Sequence, residues 1–138
     1  MREALDALHK ADSRVLILGR GSLGAVDLVR RFLAEEDAAG YVWGVVTSQA
    51  AMGAVPGAEM LGHTGTREAN LLVTRADALL VCGARLDVRQ TGSEVEEWAR
   101  GKVIVRVDID EAELKFSRIR MDYAFCQDSG EWLRQVLT

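Results

Sequence analysis

The chain has 138 residues, a length that suits one domain able to bury roughly two-thirds of its unfolded surface without staples. Hydrophobic residues make up 49%, enough for a core, and a net charge of −4 leaves no basic excess to release counterions from a nucleic acid. No apolar run approaches the ~18 residues of a membrane helix, and the charged N-terminus is unlike a signal peptide. A cytoplasmic protein with neither a membrane nor a nucleic-acid partner is expected.

Residues 2–11 predict an amphipathic helix, with Leu5 and Leu8 on one side and Arg2, Glu3, Asp6 and Lys10 on others; His9 reads as solvated. Residues 15–18 form a continuous apolar run suited to a strand covered on both faces. A turn rich in glycine follows at once, Gly19-Arg20-Gly21-Ser22-Leu23-Gly24. Leu23, Val26, Val29, Phe32 and Leu33 then give helical spacing up to Glu36. Residues 41–46 predict a second strand. The stretch 47–65 holds four glycines and Pro56 without periodicity, a length that suggests a functional loop.

A short helix over 66–74 leads into a third strand, Ala78 to Cys82. Residues 93–100 predict a helix opened by a capping box from Ser93 to Glu96. Residues 103–107 form a fourth strand. Asp110 and Glu113 cap a helix near 111–116, and residues 123–126 make a short fifth strand. Asp128 and Glu131 open a last helix carrying Trp132, Leu133, Val136 and Leu137. Alternating strands and helices predict a Rossmann-like, doubly wound α/β fold: a parallel sheet of five to six strands with helices on both faces. Cys82 and Cys126 lack metal-ligand spacing and read as buried thiols in a reducing compartment. Arg118 and Arg120 read as a solvated face.

The glycine turn matches a dinucleotide fingerprint at Gly19, Gly21 and Gly24 in strand-to-helix context. Glycines there fit two readings: a pyrophosphate approaching a helix N-terminus, or a tight turn required by the chain alone. The second strand ends in Val45-Val46-Thr47-Ser48, without the carboxylate that would hold the ribose of NAD. Asp108, at the carboxyl end of the fourth strand, is placed to accept hydrogen bonds from a ribose. Arg85, Asp87 and Arg89 follow the third strand and suit either phosphate binding or pairing with each other. His63 reads as a surface loop histidine before it reads as a ligand contact. No nucleophile–base pair and no metal cluster stands out, so no catalytic residue is assigned.

Residues 61–92, LGHTGTREANLLVTRADALLVCGARLDVRQTG, resemble the central domain of thiamine-diphosphate-dependent enzymes of the acetolactate synthase type. The family's G-x-x-G loop is here Gly62 and Gly65. Its A-N is Ala69-Asn70, its A-D is Ala76-Asp77, and its GARxDxRxTG segment is Gly83 to Gly92. The likeness continues through VIVRVDIDEAEL at 103–114 and reaches Asp128. The resemblance implies a non-catalytic middle domain over residues 1–138. It would bridge the outer domains that hold thiamine diphosphate and magnesium, within a homo-oligomer. Several relatives hold FAD or an ADP-containing ligand here. Carried over, the cofactor contacts fall at Gly62, Gly65, Arg85, Asp108 and Asp128, with Gly19 and Gly21 near the diphosphate. Flavin-binding members have Met-His between the loop glycines, where this chain has His63-Thr64, and GARFDDRVTG where it has GARLDVRQTG. A free-standing flavin or adenine-nucleotide module is the alternative.

Overall fold

In the computed structural model, which describes residues 1–137, the chain alternates strand and helix almost throughout. The elements are α1 (Arg2–Lys10), β1 (Arg14–Leu18), α2 (Val26–Ala38), β2 (Trp43–Thr47), β3 (Glu59–Met60), α3 (Arg67–Arg75), β4 (Ala78–Cys82), α4 (Val88–Thr91), α5 (Val95–Ala99), β5 (Val103–Asp108), α6 (Glu111–Lys115), β6 (Tyr123–Cys126) and α7 (Ser129–Leu137). The strands form one sheet of six in the order β3-β2-β1-β4-β5-β6. Every neighbouring pair is parallel. Beyond the strands read from the sequence, the loop after β2 supplies the two-residue edge strand β3. It pairs only at Val46 and Thr47.

Continuous apolar runs are central strands because both of their faces are covered. Leu16, Leu18, Leu80, Cys82, Val105 and Val107 face one side, against Ala4 and Leu8 of α1, Val29 and Phe32 of α2, and Trp132 and Leu133 of α7. Val15, Ile17, Leu79, Val81 and Ile104 face the other, against Ala69 and Val73 of α3 and Ala99 of α5. Each fully buried leucine or isoleucine in these layers contributes about 1.5–3 kcal/mol relative to exposure. Lys102, just before β5, bonds the carbonyls of Thr74 and Ala76 at 3.0 Å each. A cation there satisfies carbonyls left over at the end of α3.

Several local expectations are corrected. The glycine turn does not open directly into an α-helix: Arg20–Ala25 is a 3-10 turn, and Leu23 is exposed. The Ser93–Glu96 capping box does not form, because α5 starts at Val95 behind Glu94 with no side-chain cap. His9 is not simply solvated. It bonds Glu36 at 2.8 Å and stacks on Tyr41 at 3.8 Å, while the Trp43 indole donates to the same carboxylate. Cys126 is exposed, since β6 is an edge strand covered on one face. Arg118 and Arg120 are exposed, but their guanidinium groups are bound to backbone carbonyls.

The sheet order reverses between β1 and β4, where the chain turns away to opposite sides. The two following loops cross there at backbone contact. Gly19 N–H donates to the Cys82 carbonyl at 2.9 Å and Gly21 N–H to the Gly83 carbonyl at 3.1 Å. A methyl carbon at Gly19 would lie 2.3 Å from the Gly83 carbonyl oxygen, and one at Gly83 would lie 2.6 Å from Gly21 Cα. Gly83 also has φ +68°, a conformation that favours glycine.

Gly19→Ala is therefore expected to destabilise the chain by more than about 2 kcal/mol, lowering its midpoint by roughly 10 °C. Gly24→Ala, with nothing within 4 Å of the new carbon, is expected to stay within about 0.5 kcal/mol. Thermal melts of the two variants check this; equal midpoints would refute the crossing as a constraint. The thiols differ as well. Burial pushes the Cys82 thiol up to about 12, opposed by its bond with the Ser129 side chain. Since the thiolate is the reactive form, a thiol reagent at pH 8 should count one sulfhydryl in the native chain, Cys126, and two after denaturation.

Candidate functional site

The crossing of the loops after β1 and β4 opens a cleft of about 1310 Å³ along the carboxyl edge of the sheet. A crevice at that reversal is where open α/β sheets bind ligands, because the loops diverge and leave the strand ends uncovered. Every strand contributes to it: Arg20 and Gly21 follow β1, Ser48 and Gln49 follow β2, His63 and Thr64 follow β3. Arg85, Asp87, Arg89 and Gln90 follow β4, Asp108 and Asp110 close β5, and Asp128 and Ser129 follow β6.

The charges of the lining are unevenly distributed. Arg20, Arg85 and Arg89 bring cations from the β1 and β4 loops, with Asp87 the one carboxylate among them, its Oδ1 accepting from Arg89 N–H at 3.1 Å; Asp108, Asp110, Glu113 and Asp128 bring carboxylates from the β5 and β6 side. Arg85 is largely exposed and its Nε lies 3.8 Å from Glu113 Oε1. A pair so long and so open to water is worth less than about 1 kcal/mol and leaves the guanidinium available to an anion. The aspartates are held by local backbone. Asp108 Oδ1 accepts from Asp110 N–H at 2.9 Å, and Asp110 Oδ1 accepts from Ala112 N–H at 3.0 Å. Asp128 Oδ2 accepts from Gly130 N–H at 2.9 Å and Glu131 N–H at 3.3 Å. Each is an aspartate opening a turn or helix, with one oxygen engaged and its position thereby set. Asp108 is nearly buried, at 8% exposure.

Arg106 lies beneath both walls. Burial pushes its guanidinium down from the ordinary arginine value, opposed by the charges of Asp108 and Glu113. Among the described residues no group of three or more His, Cys, Asp or Glu is placed to hold a metal ion, and no helix is long and apolar enough to cross a membrane.

The site residues read from the sequence are brought together unevenly. Gly21, Arg85, Asp108 and Asp128 line the cleft. Gly19, Gly62 and Gly65 act through backbone packing. Added carbons would meet Gly83 O at 2.3 Å, Arg89 O at 2.3 Å and Met60 O at 2.2 Å respectively. The amides of Gly19 and Gly21 are already bonded across the crossing, which favours the tight-turn reading of the glycine motif over amides offered to a phosphate. Gly62 carries φ +106° and is pinned by Asn70, which accepts from its N–H at 2.8 Å and donates to its carbonyl at 2.9 Å. His63 is exposed at the rim, its N–H bonded to the Arg89 carbonyl. The sequence reading passed over Arg20 and Ser129. Arg20 carried a usable signal, a charged residue between two glycines at a strand end. Ser129 carried none, since its place beside Cys82 depends on how α7 docks.

The fold is similar to solved sirtuin structures at low identity. A structure of Sir2Tm bound to a propionylated peptide aligns with a TM-score of 0.72 at 15% identity, covering 99% of this chain and 97% of that one. A complex of Sir2, a p53 peptide and NAD+ aligns at 0.69 and 16%, covering 99% and 97%. In sequence, the chain is 36% identical over 143 residues to the acetolactate synthase isozyme 1 large subunit of Escherichia coli, covering 99% of this chain and 24% of that protein. It is 35% identical over 141 residues to the acetolactate synthase large subunit of Parasynechococcus marenigrum, covering 97% and 22%. It thus spans about a quarter of the length of these relatives. A sequence model of the thiamine pyrophosphate enzyme central domain matches residues 1–136. With the parallel six-stranded sheet and the 62–114 motifs in place, the chain belongs to the thiamine pyrophosphate enzyme central-domain family and is similar to its acetolactate synthase members.

Proposed function

We propose that this chain is the non-catalytic middle unit of a thiamine-diphosphate-dependent carboligase or decarboxylase acting on 2-oxo acids. It bridges the outer cofactor-binding domains of a homo-oligomer and holds an adenine-containing diphosphate, FAD or ADP, in the cleft. The observation that carries the nucleotide reading is the distribution of charge: three arginines against one carboxylate, Asp87, on the β1 and β4 side, and anchored aspartates on the β5 and β6 side. A nucleoside diphosphate has the same two ends: an anion that guanidinium groups bind with charge-assisted hydrogen bonds, and a ribose whose hydroxyls donate to carboxylates. Arg85, Arg89 and Arg20 hold the diphosphate; Asp108 and Asp128 accept from the nucleoside. The cleft is roomy enough for either ligand.

Thiamine diphosphate, held through magnesium by the outer domains, would supply the electron sink of the whole enzyme. This chain supplies no proton transfer to that chemistry and contributes position and rigidity. Two unpaired thiols fit a reducing, cytoplasmic setting.

Thermal denaturation of the chain with FAD or ADP tests the nucleotide reading, because a ligand of the folded state alone raises the midpoint. At a concentration 100 times Kd the gain should be about 2.7 kcal/mol. The double substitution R85A/R89A should weaken binding by about tenfold or more, each lost charged hydrogen bond being worth roughly 1.5–3 kcal/mol. No midpoint shift with either nucleotide at millimolar concentration overturns it. Turnover of pyruvate by this chain alone, supplied with thiamine diphosphate and magnesium, would overturn the non-catalytic role.

A further inference from the structure

Two arginines that do not line the cleft hold the loop that does. Arg106, 1% exposed in the middle of β5, donates from Nη2 to the Ala84 carbonyl at 2.8 Å and, more weakly, to the Arg85 carbonyl at 3.5 Å; its Nη1 donates to Ser117 Oγ at 2.8 Å. Arg118, beyond α6, donates from Nη1 to the Leu86 carbonyl at 3.0 Å and from Nη2 to the Gly92 carbonyl at 3.3 Å. Carbonyls at four positions of the segment 84–92, a loop that runs into α4, therefore point at guanidinium groups. Between them Leu86 adopts φ +57°, the one left-handed non-glycine residue among those described, with its side chain fully buried. A leucine enters that region only when its surroundings over-determine it.

The consequence lies in the residues on either side. Arg85 and Asp87 both line the cleft although Leu86 between them is packed into the core; an ordinary extended run would alternate a single buried residue with exposed ones but leave the carbonyls free to turn. With the carbonyls of 84–86 drawn down to Arg106 and Arg118, their negative ends face away from the place an anion would occupy. A carbonyl oxygen turned into the cleft would repel a phosphate at short range. Arg106 also lies 3.9 Å from Asp108 Oδ2, so one buried group touches both the arginine-bearing loop and the carboxylate wall.

We infer that Arg106 and Arg118 are positioning residues for the cleft: they lock residues 84–92 in the conformation that presents Arg85 and Arg89, and not backbone carbonyls, to a bound diphosphate. The inference rests on the diphosphate reading above. Its test separates the two. In the unliganded chain, hydrogen exchange reports the loop through the amides of Gln90, Thr91 and Gly92, bonded to the carbonyls of Asp87 and Val88. Arg118→Gln, at an exposed side chain, should speed their exchange by about tenfold while the β4 amides stay unchanged, and should weaken ADP binding by about tenfold in titration calorimetry. Arg118→Lys, which keeps a charge able to reach one carbonyl, should recover part of both.

Loop exchange unchanged in Arg118→Gln overturns the inference, as does a loosened loop that binds ADP as tightly as before. If the unsubstituted chain binds neither ADP nor FAD, the nucleotide reading falls by itself, and the exchange comparison still decides whether the arginines hold the loop. Should Arg118→Gln fail to fold, Arg118→Lys and Arg106→Lys carry the same comparison.

Discussion

The constraint on which the rest of the molecule depends is the backbone crossing of the loops after β1 and β4. Gly19, Gly21 and Gly83 meet with no room for a Cβ, and each amide at the crossing has a carbonyl partner. A sheet whose order reverses at β1 and β4 sends these two loops apart, and the cleft is the gap they leave. If they stood one side chain further apart, the arginines of one loop and the aspartates of the β5 and β6 ends would no longer share a cleft. The same glycines that look like a phosphate motif are here first a device for bringing two loops into contact.

Around that crossing, the site is built by residues working in two tiers. Side chains that line the cleft are mostly exposed arginines and locally capped aspartates, which contribute little to stability. Beneath them lie groups that are buried and costly to place, such as Arg106, whose desolvation is offset only in part by carbonyls, Ser117 and the nearby Asp108, its Nε being left without a partner. A buried charge breaks even only when its hydrogen-bonding groups find partners. Placing one under the cleft fixes the geometry of the loop above it at a cost in stability. At the opposite end of the sheet, His9, Glu36, Tyr41 and Trp43 knit α1, α2 and β2 together, away from any part of the cleft.

The family membership narrows the role without moving chemistry into this chain. The match runs from residue 1 to residue 136, while the acetolactate synthase large subunits it resembles are about four times as long. The low-identity resemblance to sirtuins carries the fold only.

Five of the six strands, the long helices that cover them and the parallel sense of the sheet were legible in the sequence, because continuous apolar runs and helical spacing are local properties; the two-residue edge strand β3 and the four-residue α4 were not, being too short to carry a period. Asp110 and Asp128 were legible as caps for the same reason: the acceptor and the amides it bonds are two or three residues apart. Arg85 and Asp108 were legible from position, each standing at the carboxyl end of a strand. What tertiary structure alone decided is everything that joins distant residues. The glycine turn proved to be half of a loop crossing, Arg118 an anchor for Leu86 thirty-two positions away, and His9 a partner of Glu36 twenty-seven away. Composition and spacing describe what a segment can bury or cap by itself. They are silent on which backbone carbonyl a long, flexible arginine will find, because that choice is made only when the loops have already closed.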